Sequence, residues 1–154
     1  MTKTSAGLLM YRRRSEGLQV LLAHPGGPFF ARKDRGAWSI PKGEVEGTDE
    51  LLATARREFF EEVGVHPGGE LIELGSIVQK GGKVVHAWAF EGDLPADFEL
   101  DSNTFELEWP PRSGRVREFP EIDRVDFFDL EQARAKINAA QAELLDRLVS
   151  ALGE

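Results

Sequence analysis

Residues 48–65 read TDELLATARREFFEEVGV, and this stretch constrains the fold more than any other part of the chain. At about 100° per residue, Leu52, Ala55, Phe59 and Val63 fall on one stripe of a helix. Glu58, Glu61 and Glu62 stand at i, i+3 and i+4, so their carboxylates share a different face. A helix over 49–63 must therefore bury one side and present the other. Thr48 or Asp49 is placed to cap its start, Asp49 and Glu50 favour the positive end of its dipole, and Gly64 suits a left-handed terminus. Three like charges on one face repel, which a hard divalent cation with oxygen ligands would relieve. The plainer reading is a solvated acidic face.

The remaining pattern supplies a sheet for this helix to cover. AGLLMYRRR (6–14) and GLQVLLAHP (17–25) are strand-like runs around Ser15-Glu16, which reads as a hairpin. Gly26-Gly27-Pro28 breaks the chain, and a short strand is expected at 37–40. ELIELGSIVQ (70–79) and KVVHAWAFEGD (83–93) read as two strands across Gly81-Gly82. Residues 94–122, with Pro95, Pro110, Pro111, Gly114 and Pro120, read as a long irregular loop. RVDFFDL (124–130) is one more strand. Asp129 then caps a helix whose apolar positions run on through Ala133, Ile137, Leu144, Leu145, Leu148 and Leu152. Strands mixed with two helical stretches predict an α+β fold with helices over a mixed sheet.

A chain of 154 residues fits one domain, 1–154, able to bury roughly two-thirds of its unfolded surface. The absence of cysteine excludes disulfides, thiolate metal sites and a cysteine nucleophile. No apolar run approaches the ~20 residues of a membrane span, and MTKTSAGLLMYRRR lacks the layout of a secretory leader, so a cytoplasmic protein is expected. The net charge of −8 argues against an extended nucleic-acid surface. It does not exclude a small polyphosphate, because bound cations invert the local charge logic.

Gly43, Arg57, Glu58, Phe59, Glu61, Glu62, Gly64 and Val65 fall in register with G-x(5)-E-x(7)-R-E-U-x-E-E-x-G-U, where U is a bulky apolar residue. On this motif the chain resembles the Nudix hydrolases. Pro41-Lys42 also looks like that family's loop entry, and Asp49 stands where the motif has its first glutamate. The resemblance implies an α/β/α sandwich and a phosphoanhydride hydrolase needing Mg²⁺ or Mn²⁺. It implies Glu58, Glu61 and Glu62 as metal ligands, with the carbonyl of Lys42 as a further one, and Arg57 as the residue holding a neighbouring carboxylate. Glu58 is a candidate both for ligation and for general base. Family members often add an acidic residue from a late loop; here Glu118 is favoured slightly over Glu121.

For substrate, Lys42, Lys80, Lys83, Arg112, Arg115 and Arg117 are candidate phosphate contacts, Trp109 a candidate base-stacking residue, and His86 a candidate phosphate donor or acid. A strand-end packing role for Trp109 and a structural role for His86 are the alternatives, while Trp88 reads as a core or sheet-face residue. PKGEVE looks most like the dinucleoside polyphosphate branch of the family, with diadenosine tetraphosphate first. A nucleotide-pool-cleansing triphosphatase is the nearest rival, and a non-catalytic Nudix-fold nucleotide-binding module the rival from another class. The expected partner is a small nucleotide polyphosphate; a homodimer is left open.

Overall fold

The computed structural model describes residues 3–153. Two long strands, β1 (Thr4–Arg14) and β2 (Gly17–Pro25), form the expected hairpin, with Arg14 opposite Gly17. After a loop come β3 (Lys42–Glu44), α1 (Leu51–Val63), β4 (Leu71–Val78) and β5 (Val84–Glu91). Then follow β6 (Thr104–Glu108), β7 (Val116–Pro120), β8 (Ile122–Asp129), α2 (Leu130–Lys136), a 3-10 turn at Ala139–Gln141 and α3 (Ala142–Leu152). The main sheet runs β4-β5-β1-β2-β8, with β3 attached to β1; the β1·β5 pair is parallel and the others antiparallel. The fold is α+β, a mixed sheet covered by helices as the sequence predicts.

The helices cover both faces because the strands are apolar on both sides. On one face Ala6, Leu8, Met10, Leu21 and Phe90 pack against Ala55, Phe59 and Val63 of α1. On the other, Leu9, Val20, Leu22, Val85 and Ala87 pack against Ala133, Ile137, Leu144, Leu145 and Leu148. The apolar stripe read from sequence is thus the side α1 buries, with Leu52 at its margin. Trp88 lies partly buried on the α1 face, the sheet-face role expected of it.

Where β1 and β2 part, the chain between Trp38 and Glu44 wedges in between. Ser39 exchanges both backbone hydrogen bonds with Ala23 of β2, and Pro41 accepts from Leu8 of β1 at 3.1 Å. Gly7 makes that wedge possible: a Cβ there would lie 2.7 Å from the Lys42 Cβ. Buried Gln141 braces the wedge from behind, accepting from Ile40 N–H and donating to Ser39 Oγ and Gln79.

Four readings are corrected. The strand expected at 37–40 is only a pair of isolated bridges at Trp38 and Ser39; the ladder begins at Lys42, once Pro41 is past. The N-cap of α1 is Glu50 rather than Thr48 or Asp49, and no side chain bonds the helix start. Residues 94–122 contain the β6–β7 hairpin, in which β6 alternates exposed and half-buried residues and β7 is exposed except at Phe119. The C-terminal helical pattern is cut at Ile137, which is extended, and Asn138 caps the following 3-10 turn. Asp129 caps α2 as expected, in a reciprocal box with Gln132.

Candidate active site

Gly64 ends α1 in the left-handed conformation (φ 82°), its N–H donating to Phe60 at 2.7 Å. That stop leaves Glu58, Glu61 and Glu62 in the last two turns, beside β3. Gly43 of β3 faces Glu58 so closely that a Cβ would overlap the carboxyl carbon. The glycine and the glutamate therefore form one steric unit.

The register of β3 on β1 orients the backbone of Lys42. Val45 N–H donates to Thr4 and Leu8 N–H to Pro41, so the hydrogen-bonded pairs are 4/45, 6/43 and 8/41. Lys42, opposite Gly7, falls in a pair without ladder bonds, and its N–H and C=O both point away from β1. The N–H, turned that way, favours the charged form of Glu62. The carbonyl remains as an outward oxygen.

The electrostatics of the cluster are unbalanced. Burial pushes the Glu62 carboxyl up to about 8, and the charges of Glu58 and Glu121 push the same way, against the pull of Lys42. Its Oε2 is buried without a hydrogen-bond partner. Burial and then Glu61 also raise Glu58, with Arg57 opposing. Arg57 reaches Glu58 at 3.7 Å and Asp49 at 3.5 Å, so the shorter side chain at position 49 still meets the arginine. Burial, then Lys83, lowers the amine of Lys42, while Glu62 and Glu44 pull it back.

A hollow of about 220 Å³ opens beside Glu62, lined by Ala23, Pro25, Ser39, Lys42, Glu62 and Glu121 among others. Glu121, not Glu118, is the late acidic residue found there. Glu118 stands opposite Glu106 on β7 and accepts from Thr104 Oγ1 at 2.8 Å, on the outer side of the hairpin. Among the described residues no three carboxylate or imidazole groups converge tightly enough to enclose an ion. The donor set nevertheless fits a hard divalent cation: all oxygen, one buried oxygen unpartnered, and two carboxyls raised by burial and then by neighbouring carboxylates.

The other candidates are distributed around this core. Lys83 lies 3.9 Å from Glu44, on the same side of β3 as Lys42. His86 pairs with Ala6, which pairs with Gly43, so it sits in that cross-strand row on the α1 face, about 10 Å from the glycine. Trp109 and Arg112 are at the tip of the β6–β7 hairpin, away from the hollow's lining; Trp109 rests edge-on against Phe29 with ring centroids 5.5 Å apart. Sequence reasoning missed Gly7, though a glycine inside an apolar strand run is a signal of close backbone approach. It also missed the brace at Gln141, for which no local signal exists.

The NUDIX domain family model matches residues 1–148. The chain belongs to the Nudix family. It is accordingly a hydrolase of pyrophosphate bonds, with a fold shared by solved structures. It is similar to an Ap4A hydrolase of C. elegans solved as a binary complex, at 21% identity over 97% of this chain and 98% of that one, with a TM-score of 0.69. It is similar to the NUDIX domain of NrtR from Shewanella oneidensis, solved with ADP ribose, at 16% identity over 99% and 89%, with a TM-score of 0.68. A MutT protein from Methanosarcina mazei is similar at 20% identity over 99% and 96%, with a TM-score of 0.62. No curated protein matches the sequence. Among the described residues no helix is long and apolar enough to cross a membrane.

Proposed function

We propose that this Nudix hydrolase cleaves the phosphoanhydride of a nucleoside diphosphate joined to a second group, a dinucleoside polyphosphate such as diadenosine tetraphosphate before others. The observation that carries the reading is the unpartnered, buried oxygen of Glu62 beside Lys42 and Glu121. An orphaned carboxylate oxygen is destabilising unless a cation meets it. Glu58, Glu61, Glu62 and Glu121, with the carbonyl of Lys42, are the groups that would hold Mg²⁺ or Mn²⁺. Bound there, the ion would neutralise phosphate charge and make a water nucleophilic.

The chain's own residues do the rest. Arg57 holds Glu58 in its rotamer, and Gly43 admits it against β3. Glu58, admitted by Gly43 and held by Arg57, is the carboxylate to which we assign the proton-accepting role. The ammonium groups of Lys42 and Lys83 take the phosphates next to the scissile bond, and His86 a more distant oxygen. The near full-length match to the C. elegans Ap4A hydrolase supports the choice of substrate.

A panel of dinucleoside polyphosphates, nucleoside triphosphates and ADP-ribose, with products identified in ¹⁸O-labelled water and Mg²⁺, tests this. Faster turnover of the dinucleotides is expected. A preference for triphosphates would replace the substrate with that of a pool-cleansing enzyme. Binding without turnover, unchanged in Glu61→Gln, would leave a nucleotide-binding module.

A further inference from the structure

The β6–β7 hairpin is two-faced. Cross-strand partners share a face, and the register sets Phe105 opposite Phe119 and Leu107 opposite Arg117. Trp109 N–H bonds Arg115 one pair further on. From Phe105 to Arg115 this inner face carries aromatic rings and two arginines and no acid, with Glu121 at its base. The outer face carries Glu106, Glu108 and Glu118.

The inner face packs along the loop that leaves β2. Gly26 N–H donates to Glu121 at the hairpin's base. Gly27 lies under Phe105, where a Cβ would come within 2.9 Å of the ring, and Phe29 meets Trp109 at the tip. The loop adds Arg32, Lys33 and Arg35, whose neighbour Asp34 is already engaged by Trp38 and Lys136. Its far end is pinned by buried His24, one ring nitrogen on Asp123 and the other on the Lys33 carbonyl, each at 2.7 Å. The bulge where β8 shifts register between His24 and Pro25 frees Asp123 for that contact. In a chain of net charge −8, loop and hairpin thus form a braced, cationic and aromatic strip. Phe29 is 59% exposed on it, a large apolar ring held open to solvent.

The strip is continuous with the hollow, whose lining includes Pro25 and Glu121 at its near end. The five residues of β7 carry it about 17 Å from there to the tip. We propose that this strip holds the second nucleotide of the substrate: its base against Phe29 and Trp109, its phosphates against Arg115 and Arg117. The proposal rests on the dinucleotide reading above and assigns the element that enforces it. The ligand class follows from the surface, since rings stack on a base and guanidinium groups take phosphate oxygens.

The test compares kcat and KM for diadenosine tetraphosphate and for ATP, both with Mg²⁺, in wild type, Phe29→Ala and the double variant Arg115→Gln/Arg117→Gln. KM for the dinucleotide is expected to rise about tenfold with kcat within about twofold, and KM for ATP to rise clearly less. Equal changes for the two substrates overturn the proposal. A binding arm uses Glu58→Gln, titrated with diadenosine tetraphosphate while tryptophan emission is read. Quenching is expected, and its loss on adding Trp109→Phe, since Trp38 is buried and Trp88 lies on the sheet. Quenching that survives Trp109→Phe overturns the assignment. So does tighter binding of a short single-stranded oligoadenylate, which would make the strip a strand-binding surface. If the dinucleotide quenches Trp109 but is not cut, the strip stands and the substrate reading falls. If it is cut without any response from these variants, the reverse holds.

Discussion

Glu58 and Gly43 show how tightly single residues are matched at this site. A methyl group at position 43 has no room while the Glu58 carboxyl stays where it is. Gly43→Ala must therefore push that side chain out, and a misplacement of about 1 Å at a reacting group can reduce a rate by roughly 100-fold. A loss of that order in kcat, with the circular dichroism spectrum retained, is expected; near wild-type kcat would show that Glu58 is dispensable. Glu62 makes a prediction about stability. Its folded carboxyl is raised from 4.5 to about 8, chiefly by burial, so without metal the folded state keeps a proton that the unfolded chain has released. Stability then falls as pH rises from about 4.5 to about 8 and levels off above. Glu62→Gln removes the titration. In EDTA its melting temperature should exceed that of wild type most at pH 8 and above, and the gap should close below pH 4.5; parallel curves would mean Glu62 is not held as described. Much of this was legible in the sequence, because the spacing of Glu58, Glu61 and Glu62 defines their shared edge. That Glu121 rather than Glu118 lines the hollow was not, since it depends on which side of a hairpin each faces, and that hairpin had no apolar run to announce it.

Elements that follow a period were readable, and those that depend on distant partners were not. The β1–β2 hairpin, β4, β5, β8 and α1 each carry a buried face of their own. The wedge at 38–44 is held by bonds to Ala23, Leu8 and Gln141, residues up to 102 positions away. The break at Ile137 was hidden because the apolar period runs on across it. There the chain gives up helix for a backbone exchange with Trp38, Asn138 N–H donating to its carbonyl at 2.7 Å. The start of α1 is a locally weak point that the structure makes visible. Glu50 occupies the cap position with extended backbone (φ −74°, ψ 143°), but its side chain bonds no helix N–H. Glu50→Ser keeps that backbone and supplies an oxygen of the right reach. It should stabilise the protein by about 0.5–1 kcal/mol, raising the melting temperature by roughly 2–4 °C per kcal/mol, without changing kcat. A lower melting temperature would show that Glu50 contributes through its charge at the helix start instead.

At the scale of the whole molecule the question is why a chain with net charge −8 concentrates acid at one end of a half-buried helix. Carboxylates scattered over the surface would repel less. A cation would relieve that repulsion and so link folding to metal binding: an ion that binds the folded cluster and not the unfolded chain stabilises by RT ln(1 + [L]/Kd). Raising Mg²⁺ to about 100 times its Kd should then add about 2.7 kcal/mol. Any acidic protein also gains from screening, so ionic strength must be held constant with NaCl while Mg²⁺ is varied. Under that control the wild-type melting temperature should climb with the logarithm of Mg²⁺ concentration, Mn²⁺ should act likewise, and EDTA should reverse both. Glu58→Gln and Glu61→Gln should each flatten the climb, whereas Glu118→Gln should leave it intact, because Glu118 is turned towards Thr104 on the outer side of the hairpin. Glu121→Gln separates the site from its surroundings: if its slope equals that of wild type, the ion does not use the hollow beside Glu62 and must be held by the edge of α1 alone.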